Sequence, residues 1–124
     1  MLDELESLVT KPYKEFVGAR VVLRAAERNF QLLVETASDI NANILIEKGR
    51  KTPETYKQSF SDIGRERVVG KKLAAELVMS AKLRNILVHN YDMEEDEKKF
   101  FAAAKRFVPA YREYLRAIHK YTVA

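Results

Sequence analysis

The chain has 124 residues, of which 47% are hydrophobic and 32% charged, with four glycines and three prolines. This length fits one domain, residues 1–124, and the balance is typical of a compact, helix-rich protein. With no cysteine and two histidines, disulfides and thiolate nucleophiles are excluded and a metal site has few ligands, so we predict chemistry without metal or cofactor.

The first helices are predicted from apolar spacing. Residues 1–9 place leucines and a valine among acidic residues, which indicates a short amphipathic helix. Pro12 either ends this helix or opens the next. From Tyr13 to Lys48 apolar residues recur every three or four positions. This is the longest predicted helix, and Gly49 is expected to close it as a left-handed cap.

A short helix and a longer one follow. Thr52 and Pro53 supply a hydroxyl cap and a proline for the first turn of the short helix, which Gly64 is expected to end. The next helix begins near Val69, and its buried stripe is Leu73, Leu77, Ser80, Arg84 and Leu87. Arg84 therefore occupies a core-facing position.

The last helix is predicted after an acidic turn. Asp92 is its expected N-cap, and Pro109 should kink it because proline lacks the N–H that would bond the Lys105 carbonyl. Its buried stripe is Phe100, Ala104, Phe107, Tyr111, Tyr114 and Ile118. No segment alternates like a strand. We predict an all-α, up-and-down bundle of four to five helices around one long central helix.

The candidate functional stretch is Leu83 to Tyr91, which contains Arg84, His89 and Tyr91. Each helical residue turns about 100°, so Arg84 and Tyr91 share a side whereas His89 lies ~140° from Arg84. One unbroken helix cannot aim all three side chains together. Either the helix ends near Val88 or a symmetry-related subunit supplies the missing group.

Partners for these side chains are predicted from helical spacing. Asn85 lies four residues before His89 and is positioned to orient the imidazole. Arg84 needs an acceptor, because an unpaired buried guanidinium is costly, and either Glu35 or Asp39 on the long helix can supply one. In a purely structural alternative, Arg84 ties two helices together and His89 stabilises a helix C-terminus.

A basic stripe runs along the last helix. Lys98, Lys105, Arg112 and His119 recur every seven residues, with Arg116 beside them. Such a stripe can track an RNA backbone, although a solvated helix face is the commoner explanation.

The segment from Arg84 to Tyr91 resembles the Arg-x4-His-x-Tyr signature of the HEPN superfamily, in particular the HepT-like toxins of toxin–antitoxin pairs. The resemblance covers Phe16 to Ile118. Its upstream parts are Glu27-Arg28, Gln31, Glu35, Asp39-Ile40 and Thr52 to Tyr56 with Phe60.

This resemblance implies a cytoplasmic, metal-independent endoribonuclease toxin of a type VII-like system that cleaves tRNA or mRNA. It implies a homodimer whose two motifs face each other across a cleft, with His89 as general base or acid and Arg84 as phosphate clamp. Those roles suit an imidazole with a pKa near 6.5 and a forked guanidinium.

The resemblance also implies a cognate partner, a minimal nucleotidyltransferase antitoxin that transfers AMP to Tyr91 and so silences the site. An alternative from a different functional class is a non-catalytic helical module that binds nucleotide or substrate for a nucleotidyltransferase. No membrane partner is expected, since no apolar run approaches the roughly 18 residues of a membrane span.

Overall fold

A computed structural model describes residues 1–10, 20–89 and 93–123, with side chains placed for all of these except 20, 88, 89 and 93–98. Within these ranges the chain forms helices and no strand, which confirms the predicted fold class. The helices are α1 (Leu2–Val9), α2 (Arg20–Glu47), α3 (Tyr56–Arg65), α4 (Lys71–His89) and α5 (Met93–Val123). The predicted helix start at Tyr13 and cap at Asp92 lie outside the described residues.

Helix α2 is the central element of the bundle, in contact with α1, α3 and α4. Helix α5 packs on α1 and α4 and carries the predicted stripe, all of which is buried. The ring of Phe60 on α3 meets the rings of Tyr111 and Tyr114 edge to face, with centroids 6.3 and 6.2 Å apart. These aromatic side chains fill the space between α3 and α5.

Hydroxyl and amide groups in this core are hydrogen-bonded. The Tyr114 hydroxyl donates to Asn41 Oδ1 at 2.7 Å, and the Ser80 and Tyr111 hydroxyls are 2.7 Å apart. Burial raises the pKa of both tyrosines well above the ordinary value of 10. Both phenols therefore stay protonated and act in packing.

A cluster of small polar residues fixes α3 on α2. Ser59 Oγ accepts hydrogen bonds from Ser38 Oγ at 2.9 Å and from Asn41 Nδ2 at 3.1 Å. It also donates to the Tyr56 carbonyl at 2.8 Å. Because buried polar groups are costly without partners, this cluster sets where the first turn of α3, and with it Tyr56, lies against α2.

The ends of α2 and α3 test the predicted caps. Gly49 is left-handed (φ 76°), as predicted. The predicted start at Thr52 is wrong, because Thr55 is the N-cap of α3. Thr55 Oγ1 accepts from the Gln58 N–H at 3.0 Å, and Gln58 Oε1 accepts from the Glu54 N–H at 3.2 Å. In this variant of the capping box Gln58 reaches the N–H of the residue before the N-cap, so two backbone donors are satisfied, whereas Thr52 has no Glu or Gln three residues after it.

Gly64 does not end α3 as predicted, since the helix continues through Arg65. The chain turns at Arg67, which is left-handed (φ 62°). Gly64 is instead buried where α3 meets α4, and a Cβ atom added to it would lie 2.5 Å from the Ala74 Cβ. Glycine at this position allows the two helices to approach closely.

Substitution of Gly64 with alanine is expected to destabilise the protein by about 2 kcal/mol. Overpacking costs up to about 3 kcal/mol, and the helix propensity of alanine returns about 1 kcal/mol. Urea unfolding measures the change. Gly64→Ala/Ala74→Gly should recover much of the loss, and Gly70→Ala, with open space around its Cβ, should change little. A Gly64→Ala protein as stable as wild type would show that the contact is not tight.

Helix α1 is joined to α5 by charged side chains. Arg112 lies 2.8 Å from Asp3 and 2.6 Å from Glu6. The hydrogen bond from Arg112 lowers the pKa of Asp3 below its ordinary value of 3.8. A lowered carboxyl pKa stabilises the folded state above the unfolded pKa, so this link is present at neutral pH and is lost in acid. None of the described helices is both long and apolar enough to cross a membrane.

Candidate functional site

The candidate site lies where the second half of α4 faces the middle of α2 and the first turn of α3. Helix α4 continues to His89, one residue beyond Val88, near which one of the two alternatives placed its end. The side chain of His89 and all of Tyr91 lie outside the described residues. Their convergence on Arg84 therefore stays a prediction, and the described geometry is that of Arg84 and its neighbours.

Three groups surround the Arg84 guanidinium. Its Nη2 lies 3.5 Å from Glu35 Oε2, its Nη1 donates to Asn85 Oδ1 at 3.3 Å, and its central carbon lies 4.6 Å from the centroid of the Tyr56 ring. The ion pair and the hydrogen bond are both long. A cation over an aromatic face is stabilised without using an N–H donor. Arg84 is thus oriented by its neighbours, while the described residues use only part of its capacity to donate hydrogen bonds.

One donor of Arg84 has no partner at all among the described residues. The Arg84 Nε atom is buried and makes no hydrogen bond, and the Arg84 side chain is only 15% exposed. A buried donor left unsatisfied costs about 1–3 kcal/mol. Such a cost calls for an explanation, and an anionic ligand that accepts from Nε would remove it.

The two predicted acceptors on α2 have different positions. Glu35 pairs with Arg84, whereas Asp39, one turn further along, is exposed. Asp39 and Asn85 line a cleft of about 490 Å³ together with Thr55 and Tyr56. This cleft opens beside Arg84 and is large enough for a nucleotide-sized group.

Asn85 contacts Arg84 in the described structure. Its Oδ1 accepts from Arg84, and no hydrogen bond joins the two N–H donors of its amide to a described residue. The predicted hydrogen bond from Asn85 to the His89 imidazole is not tested, since that imidazole is not described.

The members of the predicted basic stripe on α5 differ in exposure and in ion pairing. Lys105 and Arg116 are exposed, and Lys105 Nζ lies 4.7 Å from the Phe101 ring centroid. Arg112 is already paired with Asp3 and Glu6, so its charge is largely neutralised by α1. The Lys98 side chain lies outside the described residues. Among the described members of the stripe, Lys105, Arg116 and His119 are exposed and can be reached by a polyanion.

Sequence reasoning missed the role of Tyr56. Tyr56 was named only as part of the family resemblance, but its ring lies against the Arg84 guanidinium. Glu27 was also missed as a buried acid, 5% exposed and 2.8 Å from Arg24. No cluster of three or more metal-ligating side chains occurs within the described part of the chain.

The chain is similar to known proteins along nearly its whole length. A family model described as Ribonuclease HepT-like matches residues 1–118. A protein named tRNA nuclease HepT from Aphanizomenon flos-aquae (strain 2012/KM1/D3) is 29% identical over 122 residues, which cover 98% of this chain and 82% of that protein.

A solved structure has a similar fold. It is a tri-AMPylated HEPN toxin of Shewanella oneidensis in complex with an MNT antitoxin. The match has a TM-score of 0.77 and 16% identity, and it covers 96% of this chain and 93% of that one. At this identity the likeness shows the fold.

Proposed function

Because the chain belongs to the Ribonuclease HepT-like family, we propose that it is an endoribonuclease toxin whose active site is built around Arg84 and His89. Family membership confirms the resemblance that the motif indicated. The observation that carries the proposal is the state of Arg84, whose buried Nε–H has no partner among the described residues and whose contacts to Glu35 and Asn85 are long. A phosphate group supplies the acceptors that this guanidinium lacks.

The proposed reaction is an attack by the RNA on its own backbone. His89 takes the proton from a 2′-hydroxyl, and the oxygen attacks the adjacent phosphorus. Arg84 stabilises the extra negative charge of the phosphorane. The 5′-oxygen then leaves with a proton from an imidazole, so the products are a 2′,3′-cyclic phosphate and a 5′-hydroxyl. No metal takes part in these steps.

A homodimer is part of the proposal. Positions 84 and 89 of a regular helix are ~140° apart around its axis, so one subunit is not expected to aim both side chains at a single phosphate. A second subunit facing the first can supply the missing group. Ile86, two residues after Arg84 on α4, is 43% exposed, which provides apolar surface for such a partner to cover.

We propose further that a minimal nucleotidyltransferase is the cognate antitoxin and that Tyr91 is the AMP acceptor. The structural neighbour is itself a tri-AMPylated toxin bound to an MNT antitoxin. In this step the Tyr91 oxygen attacks the α-phosphorus of ATP, the phenolic proton goes to base, and pyrophosphate leaves. The added phosphates would occupy the anion site of Arg84 and repel RNA.

The experiment is an RNA cleavage assay with purified protein in the presence of EDTA. Transfer RNA is the first substrate to test, because the relative from Aphanizomenon flos-aquae is named as a tRNA nuclease. Wild type should release fragments with a 2′,3′-cyclic phosphate and a 5′-hydroxyl, and Arg84→Ala/His89→Ala should not. Equal cleavage by both proteins would assign the activity to a contaminant. Intact RNA in every reaction would favour the non-catalytic binding module.

A further inference from the structure

A second surface with a strong positive charge lies at the end of the bundle away from Arg84. There α3 ends, α4 begins and α5 passes close by, and they enclose a cleft of about 780 Å³. We call it the basic cleft. Its rim includes Arg65, Arg67, Lys71, Lys120 and Tyr121, above an apolar floor that includes Leu73. Lys71 and Arg84 are thirteen residues apart on α4, so about 20 Å separates the two regions.

The positive charge of the basic cleft is only partly balanced. Arg65 is paired with Asp62 at 3.7 Å, and Glu113 is the acidic side chain on the cleft wall. Across the described ranges, no carboxylate forms an ion pair with Arg67, Lys71 or Lys120. A cleft with excess charge of one sign attracts ligands of the opposite charge.

The backbone at Arg67 adds a second observation. Its N–H bonds the Gly64 carbonyl at 3.1 Å, and the Val68 N–H bonds the Ile63 carbonyl at 3.0 Å. This is the helix-ending motif whose left-handed position is usually glycine. The chain places arginine there at φ 62°, and the side chain forms part of the cleft rim. A strained residue with an outward cation is more easily explained by binding than by folding.

Tyr121 gives the basic cleft an aromatic surface. It is 37% exposed, and Lys48 Nζ lies 5.8 Å from its ring centroid. An exposed aromatic ring among cations, above an apolar floor, is the combination by which proteins hold unpaired nucleotides. Phosphates contact the cations and a base stacks on the ring. An acidic protein surface would match the charge but would not require the exposed ring.

We propose that the basic cleft binds an unpaired segment of RNA several nucleotides away from the phosphate held by Arg84. Arg67, Lys71 and Lys120 contact its backbone, and Tyr121 stacks on one base. This inference rests on the proposed function, because it takes RNA as the ligand of both regions. The cleft anchors a long RNA, while Arg84 and His89 act on it.

The test measures binding of fluorescent tRNA at several salt concentrations, in a His89→Ala background that prevents cleavage. The cleft variant is Arg67→Gly/Lys71→Gln, in which glycine suits the left-handed backbone and should not impair folding. Its Kd should rise about tenfold, and its salt dependence should fall by about 1.4 in slope, as expected for two lost single-strand phosphate contacts. Tyr121→Ala should also weaken binding about tenfold, through lost stacking.

The control is Lys82→Gln/Lys99→Gln, which removes the same charge from exposed positions outside the basic cleft. It should bind RNA almost as tightly as the parent. If both double variants weaken RNA binding equally, the effect comes from total charge and not from the basic cleft, and the proposal is overturned. An unchanged Kd in the cleft variant would also overturn it. Loss of nucleotidyltransferase binding with unchanged RNA binding would assign the cleft to the protein partner and also overturn it.

The two proposals fail in different ways. Cleft-dependent RNA binding by a protein that cleaves no RNA would contradict the ribonuclease assignment and support the basic cleft. Cleavage by the wild-type protein, together with equal Kd values for the cleft variant and its parent, would support the ribonuclease assignment and contradict RNA binding by the basic cleft.

Discussion

Arg84→Ala is expected to slow RNA cleavage by about 100- to 1,000-fold, the usual cost of removing one donor that stabilises an anionic transition state. The guanidinium is held by Tyr56 and Glu35 before substrate arrives, so little rearrangement is needed when charge develops on the phosphorane. Single-turnover rates with saturating tRNA measure the effect, because they isolate chemistry from binding.

Arg84→Lys separates charge from geometry. Lysine keeps the positive charge but has neither the planar fork nor a donor at the position of Nε, so it should restore only part of the rate. Thermal unfolding of both variants serves as the control for folding. If Arg84→Ala cleaves at the wild-type rate while remaining folded, Arg84 ties helices together and does not act on RNA.

Tyr91→Phe is expected to abolish AMP addition by the cognate nucleotidyltransferase. Phenylalanine keeps the ring but lacks the oxygen that attacks the α-phosphorus of ATP. After co-expression with any minimal nucleotidyltransferase that is found encoded next to this gene, intact-mass measurement should show whole AMP units on the wild-type protein and none on the variant. The variant should also retain ribonuclease activity in the presence of the antitoxin and ATP.

Tyr121→Phe is the matched control for this experiment. Tyr121 is an exposed tyrosine on α5 that lines the same cleft as Lys71, the first residue of α4. The Tyr121→Phe variant should therefore gain the same mass of AMP units as the wild-type protein. An unmodified wild-type protein, or AMP on Tyr91→Phe, would show that this tyrosine is not the acceptor.

The helices could be predicted because their signal is local. Apolar residues at helical spacing mark the buried faces of α2, α4 and α5, and the left-handed Gly49 follows from the rarity of that conformation in other residues. The stripe of α5 from Phe100 to Ile118 is buried as spacing predicted.

The errors arose where a residue has two possible uses. Thr52 and Thr55 are both good caps, and the choice depends on Gln58, whose side chain completes the cap at Thr55. Gly64 can end a helix or let two helices touch. Only the approach of Ala74 on α4 decides between them.

The candidate site was only partly accessible from sequence for the same reason. Spacing indicated that Arg84 needs an acid, but Glu35 and Asp39 differ by one turn, and the crossing of α2 and α4 selects Glu35. The stacking of Tyr56 on Arg84 depends on where the small polar cluster sets the first turn of α3. No local pattern encodes either contact.

The link from Arg112 to Asp3 and Glu6 has a consequence for synthesis of the protein. Leu2, Leu5 and Val9 of α1 are buried, and α1 packs on α5 as well as on α2. Translation proceeds at ~5–20 residues per second, so α1 emerges well before its partner on α5. The bundle cannot close until the residues around Arg112 have left the ribosome. Until then, the apolar face of α1 lacks its partner on α5.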